Sequence, residues 1–478
     1  MTDAMLYSPA NRDRRLQLRL SERRYLLIAG DVLCVLLAVL IALRVWAWVA
    51  RDPFTWAEFI WPRAWWFVVL VGAWLLLAGA NDFYELRTYT SRSRTFQKLI
   101  LITLQLWFFY LAVFFLAPPL LLPRLFIIYY GVASLALIAI FHALQPLLFG
   151  WASQRRRVMI VGTDWSAMTM MSAIGRHAYY AYDLVGVIAE PDDVLTDLCD
   201  VPVLGTGKDI RRLLNEYRIA ELIVTSTRDL STETFQGVMD AYESGASIVP
   251  MPLLYERITG QVPVEHVSNN WAVVLPIEQN LGDAFYGFVK RGMDVVMGLM
   301  GLVVFLIVLP LLALLIRLDS PGGIFYWQER TGLNGRPFRI YKFRSMRQDA
   351  EAQTGAVFSQ KGDARVTRLG RFMRKTRLDE LPQVVNVLRG EMSVVGPRPE
   401  RPEHVQRLTS KIPFYRTRLA IRPGLTGWAQ VRYNYGSTDE DALVKLQYDL
   451  YYIRHCSLLL DLNILLRTVG KVLKMSGV

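Results

Sequence analysis

The run from Arg371 to Glu400, RFMRKTRLDELPQVVNVLRGEMSVVGPRPE, sets two adjacent carboxylates, Asp379 and Glu380, among Arg371, Arg374, Lys375, Arg377, Arg389 and Arg398. Acids inside a basic shell suit phosphate chemistry. Guanidinium groups favour the ionised form of a nearby carboxylate, and they neutralise a polyanionic substrate that would otherwise repel a nucleophile. Asp379 is the candidate to attack phosphorus, with Glu380 beside it. A surface helix with i,i+4 ion pairs has the same charge pattern, so the charges alone do not decide. Upstream, YWQERTGLNGRPFRIYKFRSM reads as a hairpin turning at Leu333-Asn334-Gly335, which delivers Lys342 and Arg344 as phosphate clamps. Downstream, the proline and glycine of Ser393 to Pro399 and of Arg422 to Gln430 make rigid loops that hold Arg398 and Arg422 in fixed positions.

The elements that position these residues follow from composition. At 478 residues and 53% hydrophobic, with a mean hydropathy of +0.25, the chain is too long for one ordinary domain and too apolar for a purely soluble one. Apolar stretches run from Tyr25 to Val49, Ala64 to Ala80, Leu99 to Ala117 and Leu122 to Phe149, near or above the roughly 20 residues a bilayer-crossing helix needs. Basic residues precede the first (Arg12 to Arg24), separate the second from the third (Arg87, Arg92, Arg94, Lys98) and follow the fourth (Arg155, Arg156, Arg157). The positive-inside rule then puts the N-terminus, residues 1–24, and everything after residue 150 in the cytoplasm, with four transmembrane helices over 25–150. The first stretch has no signal-peptide cleavage site and is read as retained. Trp46, Trp48, Trp56, Trp61, Trp65 and Trp66 would form an aromatic belt at the outer face. The net charge of +12 suits an anionic bilayer or phosphorylated substrates, and the chain shows no nucleic-acid module. Cys34, Cys199 and Cys456 lack metal-site spacing and read as buried, reduced thiols; the five histidines form no cluster.

From residue 151 to 275 short apolar strands alternate with helical periodicity: VMIVG, LVGVIAE, AELIVT and ASIVPM. This is a cytoplasmic Rossmann-like α/β domain. The first strand runs into Gly162-Thr163-Asp164, where a dinucleotide site would want a second glycine. The Asp164 carboxylate obstructs close approach of a pyrophosphate, so the nucleotide site is degenerate. Glu190 could meet a ribose hydroxyl, although an exposed acid at a strand end is the plainer reading.

After a linker over 276–290, a fifth apolar run, Val295 to Ile316, is long enough to span. Spanning would place the arginine-rich sequence after it outside, with no charge asymmetry to drive translocation. Pro310 removes a backbone donor mid-run and can break the helix, so a re-entrant helix over about 294–317 resolves the conflict.

The motifs KRGMD (Lys290 to Asp294), QERTG (Gln328 to Gly332), YKFRSM (Tyr341 to Met346), D-x-R-x-T-x-x-G (Asp363 to Gly370), LDELPQ (Leu378 to Gln383), VGPRPE (Val395 to Glu400) and RPGLTGWAQ (Arg422 to Gln430) resemble, in this order, the bacterial polyprenyl-phosphate sugar phosphotransferases. Those are monotopic phosphoglycosyl transferases; the four N-terminal helices and the degenerate α/β domain are similar to their long members. The resemblance implies a mainly α catalytic domain over 291–478 on the cytoplasmic face of the bacterial inner membrane. There the aspartate of the Asp-Glu pair, Asp379, attacks the β-phosphate of a UDP-sugar and releases UMP, and undecaprenyl phosphate then takes the phosphosugar. Glu380 matches the glutamate associated with Mg²⁺, and Lys342, Arg374 and Arg398 match basic residues around the phosphates. Glu391 occupies the family's acidic position before Met392-Ser393. Arg422, Thr426, Gln430 and Arg432 form the expected nucleotide or substrate loop. Some small members carry a Gly-Arg pair after the WAQV stretch where this chain reads Arg432-Tyr433-Asn434-Tyr435-Gly436, which leaves the uracil-holding residue open. That stretch is similar to an exopolysaccharide subgroup and tilts the sugar towards glucose 1-phosphate. A homodimer and contact with membrane lipid are implied by resemblance only.

Three rival readings remain. Asp439-Glu440-Asp441 formally gives the D-x-D of a metal-dependent glycosyltransferase, but Thr438 followed by Asp441 also reads as a helix cap. A membrane-bound epimerase or dehydratase would need the dinucleotide fingerprint that Asp164 interrupts. A non-enzymatic scaffold would tolerate loss of Asp379.

Overall fold

The computed structural model describes residues 20–81, 83–84, 92–116, 125–149, 155–179, 181–191, 197–225, 230–264, 284–347, 363, 365–433, 436 and 438–473. The basic N-terminus before residue 20 and the expected linker up to residue 283 lie outside them. The chain divides into two compact units, Met1–Leu254 and Tyr255–Val478.

In the first unit the four expected apolar runs are helices: α1 (Leu20–Ala50), α2 (Trp65–Ala80), α3 (Arg92–Leu116) and α4 (Phe126–Phe149). Val35, Leu43, Trp74, Leu99, Ile102 and Ile138 are buried between them. Leu33, Val68, Phe108 and Ile140 stay exposed on the outer faces. An apolar outside around an apolar inside is the pattern of a bundle solvated by lipid. Among the described residues, four helical segments are long and apolar enough to cross a membrane: Tyr25–Ala50, Trp61–Gly79, Phe126–Leu144 and, in the second unit, Phe285–Asp319. The chain is therefore a membrane protein. Trp48, Trp56, Trp61 and Trp65 are exposed, as an aromatic belt requires, but Trp66 is buried against Phe126 and Tyr110, and Trp46 packs on Phe59 under the Arg63 guanidinium. Inside the bundle, fully buried Asp31 of α1 meets His142 Nε2 of α4 at 3.0 Å.

The α/β sheet has the order β3-β4-β2-β1-β5-β6, with strands β1 (Arg156–Val161), β2 (Tyr182–Ala189), β3 (Asp197–Leu198), β4 (Val201–Thr206), β5 (Glu221–Val224) and β6 (Ser247–Pro250). Neighbours are parallel except β3 and β4. Helices α5 (Trp165–Ala173), α6 (Ile210–Tyr217) and α7 (Thr232–Glu243) connect them. The central order is that of a Rossmann half. Asp164 Oδ1 accepts from the Ala167 amide at 3.0 Å, capping the very helix end at which a pyrophosphate would sit. Glu190 accepts from the Thr234 hydroxyl at 2.9 Å, which ties it to α7. Cys199 departs from the expectation of buried thiols: it is exposed in the turn between β3 and β4, with φ +52°.

The second unit begins upstream of the expected boundary. Helix α8 (Met251–Thr259) crosses the dividing point, and Val262 and Val264 lie in a core with Leu408, Tyr415, Leu446 and Leu450. The remaining helices are α9 (Ala284–Asp319), α10 (Arg368–Thr376), α11 (Val384–Arg389), α12 (Pro402–Thr409), α13 (Trp428–Arg432), α14 (Asp439–Arg454) and α15 (Leu458–Leu473). Strands β7 (Phe325–Thr331) and β8 (Pro337–Phe343) form the expected antiparallel hairpin, with Asn334 and Gly335 both at positive φ in its turn. Strands β9 (Ser393–Val395) and β10 (Gly424–Thr426) pair in parallel.

Pro310 does not end α9, which continues to Asp319. Near its start, Lys290 Nζ lies 2.8 Å from Asp461, Arg291 donates to the carbonyls of Val387 and Leu388 at 2.8 Å, and Asp294 accepts from Ser393 Oγ and the Val394 amide. The KRGMD motif is thus a set of fasteners. Phe305, Leu312 and Ile316 bury against Phe343, Met373 and Val384, while Val303, Ile307, Leu311 and Leu318 are exposed.

Candidate active site

Asp379 and Glu380 lie on the short 3₁₀ segment Leu378–Gln383. Thr367 caps the preceding helix α10, and Arg377, at φ +58°, ends it in the left-handed region and turns the chain directly into that segment. Leu378 and Leu381 fix the segment to the α9 cluster, so the acids are set by packing on both sides. Lys342 arrives on β8 and Arg398 on the loop after β9. Gly396 and Gly424 let that loop form: a Cβ on Gly396 would lie 2.5 Å from the Arg422 carbonyl, and one on Gly424 only 2.1 Å from the Gly396 nitrogen.

The cations converge on Glu380. Its Oε1 accepts from Lys342 Nζ at 2.9 Å and from Arg398 Nη2 at 2.6 Å, and Arg377 Nη1 lies 3.7 Å from Oε2. Burial alone would push Glu380 up, but Arg398 and Lys342 more than offset it and hold its carboxyl well below the usual range. Asp379 is the more buried of the two and accepts no hydrogen bond among the described residues. Burial first, and the Glu380 charge second, push it up to about 6, with Lys342, Arg374 and Arg398 offsetting part of the rise. Arg374 and Arg398 do favour the ionised form of Asp379, as the charge pattern suggests, but burial and the Glu380 charge outweigh them. Asp379 remains ionised at neutral pH, and it is the more basic and less encumbered of the two.

Several residues that sequence reasoning did not single out hold this geometry. Arg418, 5% exposed, donates to Asp449 at 2.7 Å, to the Tyr415 hydroxyl at 2.8 Å and to the Arg398 carbonyl at 3.1 Å. Asn386, fully buried, donates to the Arg339 carbonyl and to Glu391, both at 2.7 Å, and accepts from the Tyr341 amide. It locks β8, and with it Lys342, to α11, and it gives Glu391 an orienting role. A buried Asn looks like any other polar residue in a sequence, so only its contacts reveal it.

Lys342, Arg374, Arg398, Asp379 and Glu380 come together; Arg374 also donates to Ser345 Oγ at 3.0 Å. Arg344 departs from the expected phosphate clamp. Its guanidinium donates to the carbonyls of Ser320 and Pro321 at 2.6 Å, which caps the end of α9. Arg422 is exposed, and Thr426 bonds Thr468 of α15 at 2.6 Å. Gln430 Nε2 donates to the Leu425 carbonyl at 3.2 Å, and Arg432 stacks on Trp428 with Cζ 4.6 Å from the ring centre. The D-x-D triplet is engaged elsewhere. Thr438 and Asp441 form a capping box, and Asp439 pairs with Lys411 at 2.6 Å.

Apolar membrane helices, an α/β sheet whose first helix end is capped by Asp164, and a carboxylate pair wrapped by cations define a membrane enzyme built to handle phosphorylated substrates. Residues 285–475 match the family model of bacterial sugar transferases, and residues 79–232 match that of a CoA-binding domain. The chain is 32% identical over 351 residues to the UDP-glucose:undecaprenyl-phosphate glucose-1-phosphate transferase of Xanthomonas campestris pv. campestris, covering 69% of this chain and 71% of that one. It is 31% identical over 361 residues to the enzyme of the same name from Klebsiella pneumoniae, covering 73% and 75%. It is also 40% identical over 250 residues to the UDP-N-acetylgalactosamine-undecaprenyl-phosphate N-acetylgalactosaminephosphotransferase of Aeromonas hydrophila, covering 51% of this chain and 58% of that relative. The chain belongs to the polyprenyl-phosphate sugar phosphotransferase family and is a phosphosugar transferase.

Proposed function

We propose that the protein transfers a hexose 1-phosphate, with glucose 1-phosphate the favoured group, from a UDP-sugar to undecaprenyl phosphate at the cytoplasmic face of the inner membrane, as the first step of exopolysaccharide, capsule or O-antigen assembly. The observation that carries this reading is the division of labour in the acidic pair: Glu380 is immobilised by Lys342 and Arg398, while Asp379 keeps a basic, unbonded carboxylate. An Asp379 oxygen attacks the β-phosphorus, the bridging oxygen to the α-phosphate leaves with UMP, and a phosphosugar remains on the carboxylate. The lipid phosphate oxygen then attacks the same phosphorus and returns Asp379 to its free form. One difficult displacement becomes two easier ones. Arg374 and Arg398 neutralise the diphosphate and orient it for in-line attack.

Among the described residues no cluster of three or more His, Cys, Asp or Glu offers a closed metal cage. Magnesium commonly needs only one or two carboxylates plus substrate phosphates, and the acidic pair fits that requirement. Glu380, with Asp379 beside it, would hold Mg²⁺ together with the diphosphate, and the ion would supply charge neutralisation there.

Sugar identity is favoured as glucose by the relatives of Xanthomonas and Klebsiella, whereas the Aeromonas relative is named for N-acetylgalactosamine. The test is UMP release from UDP-glucose, UDP-galactose and UDP-N-acetylgalactosamine, with undecaprenyl phosphate and Mg²⁺, by wild type and Asp379→Asn. UMP that disappears in the variant supports the mechanism and identifies the sugar; UDP as product, or UMP release unchanged by the substitution, sinks it.

A further inference from the structure

The hairpin that carries Lys342 also carries three consecutive aromatic residues, Phe325, Tyr326 and Trp327, and its register sets them apart. Directly paired residues of an antiparallel ladder share one face with side chains roughly 5 Å apart, and neighbours along a strand alternate between faces. Phe325 pairs with Phe343 and Trp327 with Tyr341 on one face, where Phe325 stacks on Phe343 and the Arg339 guanidinium lies 4.6 Å from the Trp327 ring centre. Tyr326 pairs with Lys342 on the opposite face. Lys342 Nζ reaches Glu380 Oε1 at 2.9 Å, so the Tyr326 ring stands beside the cation that borders the acidic pair.

A line of side chains fixes this ring. Arg330 Nη1 donates to the Pro399 carbonyl at 3.2 Å and Nη2 to Gln328 Oε1 at 2.6 Å, and Gln328 Nε2 donates to the Tyr326 hydroxyl at 2.9 Å. The three are alternate residues of β7 and share the Lys342 face. The line starts at the residue after Arg398, whose guanidinium also contacts Glu380. Tyr326 is 38% exposed, unlike the buried Ile340 and the Asn386 that hold β8 from within.

The phosphorus that Asp379 attacks carries a pyranose. Such a ring presents C–H bonds with a slight positive charge, which settle on the negative face of an aromatic ring. An aromatic held by its hydroxyl is already placed for this contact, so little freedom is lost when the sugar arrives. Resting on the phosphosugar-transfer reading, we propose that Tyr326 is the platform on which the hexose of the UDP-sugar packs, and that Gln328 and Arg330 are positioning residues that hold its ring beside Lys342. The contact is made to the sugar and not to the diphosphate. It reads the pyranose ring and not the pattern of its hydroxyls, so UDP-glucose and UDP-N-acetylgalactosamine should both use it.

The test is equilibrium binding to the full-length protein in lipid nanodiscs, in an Asp379→Asn background that prevents transfer, with UDP-glucose, UDP-N-acetylgalactosamine and UDP as probes. Tyr326→Leu removes the ring and should weaken both UDP-sugars about three- to tenfold, the size of one aromatic contact, while UDP binds as before. Unchanged UDP affinity also reports an intact fold. Tyr326→Phe and Gln328→Met keep the ring and release its tether, so each should weaken the UDP-sugars about twofold, and the double variant no more than either, because both cut the same link. UDP-sugar affinity that is unmoved in Tyr326→Leu overturns the proposal. An equal loss for UDP overturns it as well, since Tyr326 would then act on the diphosphate or by supporting Lys342. Should Tyr326→Leu not fold, Tyr326→Phe and Gln328→Met decide by the same comparison of UDP-sugar with UDP. Binding needs no turnover, so this outcome stands apart from the phosphosugar-transfer reading, which fails instead if UMP release survives Asp379→Asn.

Discussion

Arg398 Nη2 lies 2.6 Å from Glu380 Oε1, and with Lys342 it sets Glu380 apart from its neighbour Asp379. Glu380 is held well below the usual carboxylate range, while burial and the Glu380 charge push Asp379 up to about 6. The rate of UMP release should therefore rise as pH passes upward through about 6, where Asp379 loses its proton. Glu380→Gln removes a charge that raises Asp379, and its acid limb in kcat/KM should move to lower pH. Lys342→Met removes a charge that lowers Asp379, and its limb should move to higher pH. Shifts in the same direction would rule out this electrostatic account. Asp379→Asn should lose activity by at least about a thousandfold at every pH.

Arg418 is the buried cation behind the Arg398 loop. Burial pushes Asp449 up to about 6 even with Arg418 beside it, so Arg418→Met should drive Asp449 to protonate at neutral pH and leave the Arg398 carbonyl without this donor. Breaking one side of a buried pair costs about 3–5 kcal/mol. Thermal unfolding should show that loss, and Arg418→Met with Asp449→Asn should recover much of it. KM for the UDP-sugar should stay raised in the double variant, because the Arg398 loop remains slack; full recovery of KM would remove Arg418 from the positioning of Arg398.

The hairpin, the four apolar helices and four strands of the sheet were legible because period, turn chemistry and hydrophobic runs act locally. Strand β4 was not, since VPVLGT carries Pro202 and Gly205 and half-buried positions that blur the strand signal. The acidic pair was legible by type, but its charge balance was not: of the described cations near it in sequence only Arg377 and Arg398 reach Glu380, while Arg374 and Arg389 bond Ser345 and Tyr341 and the remaining contact comes from Lys342 on β8. Arg344 misled for the same reason, because nothing local distinguishes a phosphate clamp from a helix cap whose carbonyls lie more than twenty residues upstream. Asp294, Asn386 and Arg418 needed partners 31 to 100 residues away to reveal their roles.

The same limit hid Asp31 and His142, which meet at 3.0 Å inside the bundle across 111 residues. Asp31 Oδ2 and His142 Nδ1 are buried without further hydrogen bonds, so the pair has little support beyond itself. Asp31→Leu should destabilise the bundle by about 1–3 kcal/mol, between a polar contact in lipid and a broken buried ion pair. Asp31→Leu with His142→Leu should return close to wild type, because apolar replacement of both partners removes the stranded polar group. Unfolding of the full chain in bilayer nanodiscs measures the cycle, and a double variant as unstable as the sum of the singles would show that the two residues are not coupled.

Helix α9 carries the last prediction. Its start is fastened by Lys290, Arg291 and Asp294, and its end by Arg344, all to the same polar unit, while Phe305 to Ile316 pack under the segment that bears Asp379 and Glu380. If this helix crossed the bilayer, the charged groups around that segment would be drawn to hydrocarbon depth, at about 2.5–3.5 kcal/mol for each uncompensated charge. Both ends should therefore face the aqueous side from which the UDP-sugar arrives, whatever bend occurs at Pro310. Single cysteines at Gly287 and Ser320, in a chain whose Cys34, Cys199 and Cys456 are replaced by serine, should react with an impermeant maleimide from the same side of sealed vesicles. Labelling from opposite sides would mean that α9 spans. The fastening contacts at its two ends could not then coexist in the membrane.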